Sequence, residues 1–177
     1  MRLDLYRRAL GASFETLPPA VRALHNLTEP ETLWRGRCDV TRGPSCVTRA
    51  LATLFRLPPE GRDQPLDVHF ASLVQCERWE RNFSGRRFVS RQYFGAPHIL
   101  ETVGPVTLLL RPAASPAGLS LTMNGARFFG VPLPRLLVPT IQTLEFERDG
   151  RYHFEVAASL PLFGLLVRYA GWLEQIA

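Results

Sequence analysis

Period-two alternation of apolar and polar residues, repeated at short intervals, constrains the fold of this chain more than any other feature. It begins with a strand in which Trp34, Gly36, Cys38 and Val40 share one face. From residue 61 onward the alternation returns between short turns rich in Gly, Pro and Asp. Strands are predicted at 33–41, 66–71, 78–83, 88–94, 99–103, 106–110, 119–123, 141–148, 152–158 and 165–173. This spacing predicts an antiparallel meander.

Helical periodicity is confined to the first third of the chain. Leu3, Tyr6, Leu10 and Phe14 predict one helix, and a second follows the Pro18-Pro19 pair. A third, amphipathic helix is predicted over residues 46–55, with Ser45 as its N-cap. We therefore predict a single α+β domain over residues 1–177. Its curved, half-barrel-like antiparallel sheet has about nine strands, with the N-terminal helices and the amphipathic helix packed on it.

The composition excludes several kinds of chemistry. All 21 basic residues are arginine, so lysine-dependent Schiff-base catalysis is excluded. The three cysteines are odd in number and form no CxxC pair, which predicts neither a disulfide framework nor a zinc site. No nucleotide-binding, hydrolase or metal-binding motif is present, so the sequence predicts no cofactor, no metal and no assignable catalytic residue.

Charge and hydropathy address compartment and partners. The N-terminal charges interrupt any signal-peptide core. The longest apolar run, 156–167, is shorter than the roughly 20 residues that a membrane span needs. We therefore predict a cytoplasmic protein without a membrane span. Arginines and aromatics alternate over 78–93, but Glu77, Glu80 and the modest net charge of +5 argue against nucleic-acid binding.

The hairpin around Asp149-Gly150 has two alternative registers. A two-residue turn would place Glu145 on the face of the buried aromatics Tyr152 and Phe154. A three-residue loop, 148–150, would instead bury Leu144 and Phe146 and direct Glu145 and Glu147 to solvent. Burial favours the three-residue loop. We therefore interpret the two glutamates as surface partners of basic residues and not as a catalytic carboxylate pair.

The clearest candidate site lies around Trp79 and Phe83. Because these aromatics define the buried face of their strand, Arg81 must point inward with them. One interpretation is an aromatic pocket with a guanidinium at its bottom, suited to an apolar ligand with an anionic tail. The alternatives are a buried ion pair with an acid elsewhere in the chain, or an arginine that reaches out at a sheet edge. The predicted ligand-binding residues are Trp34, Arg42, Trp79, Arg81, Ser90 and Gln92.

Short motifs along nearly the whole chain resemble one bacterial family. They include Trp34-Arg35-Gly36, Glu77-Arg78-Trp79 and the closing Gly171-Trp172-Leu173. The others lie at 5–11, 17–19, 42–43, 57–59, 85–88, 104–105, 132–134, 149–151 and 160–162. Together they resemble domain of unknown function 4166, whose members look like stand-alone proteins or extensions of dehydrogenase-like domains. The resemblance implies a domain that can partner an NAD(P)-binding one.

Three functions follow as hypotheses. The first is a non-catalytic module that binds an apolar or amphipathic anionic small molecule, because a curled sheet with a helix across it often leaves a cavity. The second is an accessory domain that docks on an oxidoreductase partner through its apolar C-terminal stretch, 160–173; a central strand would equally explain that composition. The third is a small-molecule enzyme of unknown reaction.

Overall fold

Antiparallel strands account for most of the chain in the computed structural model, which describes residues 5–27 and 29–176. The strands are β1 (Glu31–Arg42), β2 (Gly61–Ser72), β3 (Glu77–Phe83), β4 (Arg86–Gly95), β5 (His98–Val103), β6 (Val106–Ser115), β7 (Gly118–Phe128), β8 (Val131–Pro132), β9 (Thr140–Arg148), β10 (Arg151–Leu160) and β11 (Gly164–Ile176). The helices are α1 (Leu5–Leu10), α2 (Pro19–His25) and α3 (Cys46–Leu54), with 3₁₀ turns at Gly11–Thr16 and Arg135–Leu137.

The sheet closes on itself. Each of ten strands hydrogen-bonds to its neighbours along the chain, β7 pairs with both β6 and β9, and β1 pairs with β11. Only the two-residue β8 stands outside this ring, on β7, in the part of the chain that the structure describes. The result is an up-and-down barrel. Its closure satisfies the edge N–H and C=O groups that an open sheet would leave unpaired.

The predicted α+β fold with an open half-barrel is therefore wrong. The individual strands lie where the alternation predicts them, but the molecule is mostly β, and its helices are few and short. Closure depends on twist accumulated over ten strands, which the local pattern of any one strand does not reveal. The seam joins the first and last strands, from Leu33 opposite Ile176 to Arg42 opposite Val167.

Two glycines allow the strands of the seam to approach closely. A Cβ added at Gly36 of β1 would lie 1.8 Å from the carbonyl oxygen of Trp172 in β11. A Cβ at Gly171 of β11 would lie 2.1 Å from the carbonyl oxygen of Arg37. Gly36 also shares the buried face of β1 with Trp34, as the alternation predicts. Any larger side chain at these positions would have to push the backbones apart.

The register of the β9–β10 hairpin differs from the predicted one. Arg148 pairs with Arg151, so the turn has two residues, Asp149 and Gly150, with φ of 53° and 73°. Two positive φ values are the signature of the type I′ turn, whose twist matches that of paired strands. Glu145 therefore lies inside the barrel and is buried, while Leu144 faces outward and is 45% exposed. The prediction failed because it assumed a wholly apolar interior.

The N-terminal helices cover one end of the barrel. α1 contacts β4, β5 and β6, and α2 contacts β9 and β10. The buried residues of this segment are Leu5, Tyr6, Phe14, Leu17, Val21, Leu24 and His25. Gly11 has a φ of 57° and begins the 3₁₀ turn that separates the two helices. Leu3, which was predicted to share the face of Tyr6, lies outside the described residues.

The strand directions define two ends, which are named here by their connections. The covered end has the N-terminal helices and the connections 73–76, 96–97, 116–117 and 149–150. The open end has the connections 43–60, 84–85, 104–105, 129–139 and 161–163. The longest of these carries α3, whose N-cap Ser45 accepts a hydrogen bond from the backbone N–H of Thr48 at 3.1 Å, as predicted.

Candidate functional site

The barrel encloses a cavity of about 310 Å³. This volume is at the lower end of the roughly 300–1,000 Å³ typical of small-molecule sites. Most of the wall is apolar and comes from the inward faces of the strands. The apolar residues in the middle of the wall are Leu66, Val68, Leu108, Leu110, Leu121, Val156 and Leu166. Transfer of an apolar molecule from water into this space would therefore lower the free energy.

Polar side chains gather at the covered end of the cavity. The Tyr6 hydroxyl donates a hydrogen bond to Oε1 of Gln92 at 3.0 Å. Nε2 of His25 donates to Oε2 of Glu145 at 2.5 Å, and Tyr152 shares that carboxylate. We call Tyr6, His25, Gln92, Glu145 and Tyr152 the polar cluster. Two of its members come from the N-terminal helices and three from strands, so the cluster ties the helical cover to the barrel.

Burial sets the protonation state of the two tyrosines. Removal from water raises the pKa of Tyr6 and of Tyr152 well above the ordinary value of 10.0. The charge of Glu145 raises both pKa values further. Both hydroxyls therefore stay neutral and remain hydrogen-bond donors at physiological pH. Both residues also line the cavity, so they face any ligand that reaches this depth.

Arg81 is the cation of the cavity wall. It points inward with the aromatics, and its guanidinium carbon lies 5.0 Å from the ring centroid of Trp79 and 5.6 Å from that of Phe88. Nη1 donates to Oγ of Ser90 at 2.9 Å, and Nη2 lies 3.5 Å from Oε1 of Glu101. The sequence left open whether Arg81 has an acidic partner. Glu101 is that partner, and it lines the same cavity.

The six residues predicted from the sequence are divided by the fold. Trp79, Arg81 and Gln92 line the cavity. Ser90 is buried beside the guanidinium of Arg81. Trp34 lies in the core, with its ring centroid 6.2 Å from that of Tyr152.

Arg42 lies at the open end and is hydrogen-bonded to the connection between β1 and β2. Its Nε donates to the carbonyl of Pro58 at 2.7 Å, and its Nη2 donates to the carbonyl of Leu57 at 2.5 Å. Leu57 and Pro58 both line the cavity, whereas Arg42 is outside the lining. Arg42 therefore positions the connection that crosses the open end.

Sequence reasoning missed most of the polar cluster. Tyr6 and His25 come from helices, and period-two alternation carries no information about what such helices touch. Glu145 was assigned to solvent by the wrong hairpin register. Glu101 had a usable signal, because it shares a strand face with Ile99, which is fully buried, and with Val103, which also lines the cavity.

The cavity meets solvent at the open end. Phe55, Leu57 and Leu133 line it there with Phe128 and Leu137. Phe128 is 43% exposed and Leu137 is 55% exposed, so the same side chains face the cavity and the surrounding water. The site is thus a tube that is closed at the covered end and open at the other. We call the polar cluster at the closed end its floor and the apolar residues at the open end its mouth.

Residues 5–27 and 29–176 contain no group of three or more His, Cys, Asp or Glu side chains placed to hold a metal ion. None of the helices in those ranges combines the length and the apolar character that crossing a bilayer requires.

Comparison with known proteins identifies a family without an assigned activity. A family model described as a domain of unknown function, DUF4166, matches residues 17–173, which is most of the chain. No curated protein matches the sequence.

Proposed function

The chain belongs to the DUF4166 family of domains of unknown function, and we propose that it is a non-catalytic binding module that holds one apolar or amphipathic small molecule inside its barrel. The observation that carries this proposal is the cavity itself, about 310 Å³ of mostly apolar space that is covered at one end and open at the other. Such a tube orients an elongated ligand, with its apolar body along the wall and its polar end at the floor.

The charged side chains that line the cavity favour a neutral polar end group over the anionic one predicted from the sequence. Among the described residues that line the cavity, Arg81 is accompanied by two carboxylates, Glu101 and Glu145. The guanidinium already lies 3.5 Å from Glu101, so a ligand carboxylate would have to compete with it. A hydroxyl or carbonyl group could bond to Arg81 or to the tyrosine hydroxyls without bringing another charge into the cavity.

Titration calorimetry with decanol tests the proposal directly. We expect one site per chain and a negative heat-capacity change on binding, because apolar surface is buried. Val156→Trp adds an indole to the cavity wall and should abolish the heat of binding. The matched control is Glu155→Trp, which places the same side chain on the exposed outer face of β10.

The outcomes separate clearly. Binding that survives in Glu155→Trp and disappears in Val156→Trp supports a ligand inside the barrel, provided that circular dichroism shows both variants folded. If Val156→Trp fails to fold, the experiment uses Leu108→Phe in its place, because this substitution adds less volume to the same wall. The proposal fails if decanol gives no saturable heat, or if a folded cavity-filled variant binds as the native protein does.

Docking on an oxidoreductase partner lacks a specific feature in its favour. Most of the apolar stretch that suggested it, 160–173, lies in β11, which is hydrogen-bonded to β1 on one side and to β10 on the other; residues 161–163 form the connection that precedes this strand. A strand paired along both edges accounts for that composition without a partner.

A further inference from the structure

Exposed apolar side chains are concentrated at the open end of the barrel. Of the twelve large apolar residues that are exposed in the described part of the chain, eight lie at this end. Six of these are at least 55% exposed and are called the apolar rim: Leu54, Phe129, Val131, Leu136, Leu137 and Leu162. They come from three separate connections, so the clustering belongs to the folded end and not to one segment of sequence. A patch of this kind indicates a contact surface.

The charges around the apolar rim are almost all positive. The exposed arginines at this end are Arg49, Arg56, Arg86, Arg127 and Arg135. The five connections of the open end lie entirely within the described residues and contain a single acidic residue, Glu60. The next acid, Asp63, is already paired with Arg37 at 2.6 Å. Apolar side chains flanked by arginines match the surface of a bilayer that contains anionic lipid.

The apolar rim is continuous with the cavity. Leu137 belongs to both, and Phe128, which lines the cavity, packs against Phe129 of the rim with ring centroids 4.8 Å apart. A surface resting on the rim would therefore cover the mouth of the tube. The opposite end offers no such route, because the N-terminal helices and the polar cluster occupy it.

We propose that the open end of the barrel docks reversibly on anionic lipid bilayers, with the apolar rim entering the interface and the surrounding arginines binding the headgroups. The docking itself follows from the outer surface alone. Its consequence, that the cavity takes its ligand from the bilayer, rests on the proposed function. A docked barrel would let an amphipathic lipid pass from the membrane into the tube without crossing water.

Flotation with vesicles tests the docking. We expect the protein to float with vesicles containing about one third phosphatidylserine and to bind pure phosphatidylcholine vesicles much more weakly. The double variant Leu136→Ser/Leu162→Ser should lose at least about tenfold in vesicle affinity, because two exposed apolar contacts are lost. Arg56→Gln and Arg135→Gln should each weaken binding about fivefold on the anionic vesicles alone.

The matched control lies at the covered end. Leu73 and Val74 are 45% and 90% exposed there, so Leu73→Ser/Val74→Ser removes a comparable apolar surface far from the rim. It should leave flotation unchanged. All these positions are exposed, and their substitution should not unfold the barrel.

Three results would overturn the proposal. The first is no flotation with anionic vesicles, and the second is equal weakening by the rim and control variants. The third is a rim that holds two copies of the chain together, shown by a dimer that becomes a monomer in Leu136→Ser/Leu162→Ser without any vesicle binding. Failure of the cavity proposal is distinguishable, because the native protein would then float with anionic vesicles but give no saturable heat with decanol.

Discussion

Nε2 of His25 and Oε2 of Glu145 lie 2.5 Å apart inside the barrel, joining the end of α2 to β9. Both side chains are almost completely buried, at 0% and 4% exposure. The contact spans 120 residues of sequence and therefore helps to hold α2 against the barrel. Further hydrogen bonds join the helical cover to the strands: Tyr6 donates to Gln92, and the backbone N–H of Ala20 donates to Oε2 of Glu147 at 2.7 Å.

Removing His25 should therefore destabilise the protein strongly. His25→Phe keeps a ring of similar shape but removes the imidazole partner of the buried Glu145 carboxylate and leaves Tyr152 as its donor in the polar cluster, which costs about 3–5 kcal/mol of unfolding free energy. Urea unfolding followed by circular dichroism measures the loss. Glu155→Gln, which breaks the exposed Arg168–Glu155 pair, is the control and should stay within about 0.5 kcal/mol. Equal midpoints for the two variants would show that the buried pair does not hold the cover.

The fold was predictable from the sequence where information is local. Alternation located the strands, and it placed Arg81 and Gln92 on an inward face, because side-chain direction in a strand follows from position alone. Closure was not predictable in the same way. It requires β1 to meet β11, and that depends on the combined twist of all the strands between them.

The polar floor of the cavity was the least predictable part. The sequence pattern directs Glu145 outward, because the alternative register of that hairpin buries Leu144 and Phe146 instead. The assignment neglected partners that lie far away in the chain, namely His25 and Tyr152. A buried carboxylate is tolerated only where such donors exist, and the sequence pattern of one strand does not reveal donors from elsewhere in the chain.

The close contact at Gly36 predicts a sharp sensitivity of the barrel seam. Gly36→Ala would put a methyl group 1.8 Å from the Trp172 carbonyl oxygen, so β1 and β11 must separate, and we expect a loss of about 1–3 kcal/mol or more. Gly125→Ala is the matched control, because a Cβ there meets nothing within 4 Å. Thermal unfolding of both variants compares them. A Gly36→Ala midpoint equal to that of Gly125→Ala would contradict the tight seam.

The buried tyrosines predict that stability falls in alkaline solution. Burial raises the pKa of Tyr169 to about 12, and those of Tyr6 and Tyr152 lie well above 10.0. The unfolded chain therefore loses these protons first, and its ionisation favours unfolding as the pH rises above about 10. Each tyrosine should lower the unfolding free energy by about 1.4 kcal/mol per pH unit until its folded pKa is reached.

Urea unfolding at a series of pH values from 9 to 12, a range chosen to bracket these pKa values, measures that slope. Tyr169→Phe removes one of these ionisations and should reduce the slope by about 1.4 kcal/mol per pH unit between pH 10 and about 12. A slope identical to that of the native protein would mean that Tyr169 ionises equally well in the folded and unfolded chain.

The Arg81–Glu101 pair should determine which end group the cavity accepts. In the native protein we expect decanol to bind more tightly than decanoate, because Glu101 occupies one side of the guanidinium. Glu101→Gln removes that charge with almost no change in shape, and it frees Arg81 to pair with a ligand carboxylate. Decanoate affinity should then rise about tenfold, which corresponds to about 1.4 kcal/mol, while decanol affinity stays within about threefold.

Calorimetric titration of both ligands into Glu101→Gln tests this selectivity, with Glu155→Gln on the outer face of β10 as the control. Arg81→Gln should have the opposite effect and weaken decanoate more than decanol, because the carboxylate would then face Glu101 and Glu145 without a cation. If decanol binds to all three variants and the ratio of the two affinities never changes, the polar end of the ligand does not lie at Arg81. The polar end would then lie either at the hydroxyls of Tyr6 and Tyr152 or, with the ligand reversed, at the arginine-rich mouth.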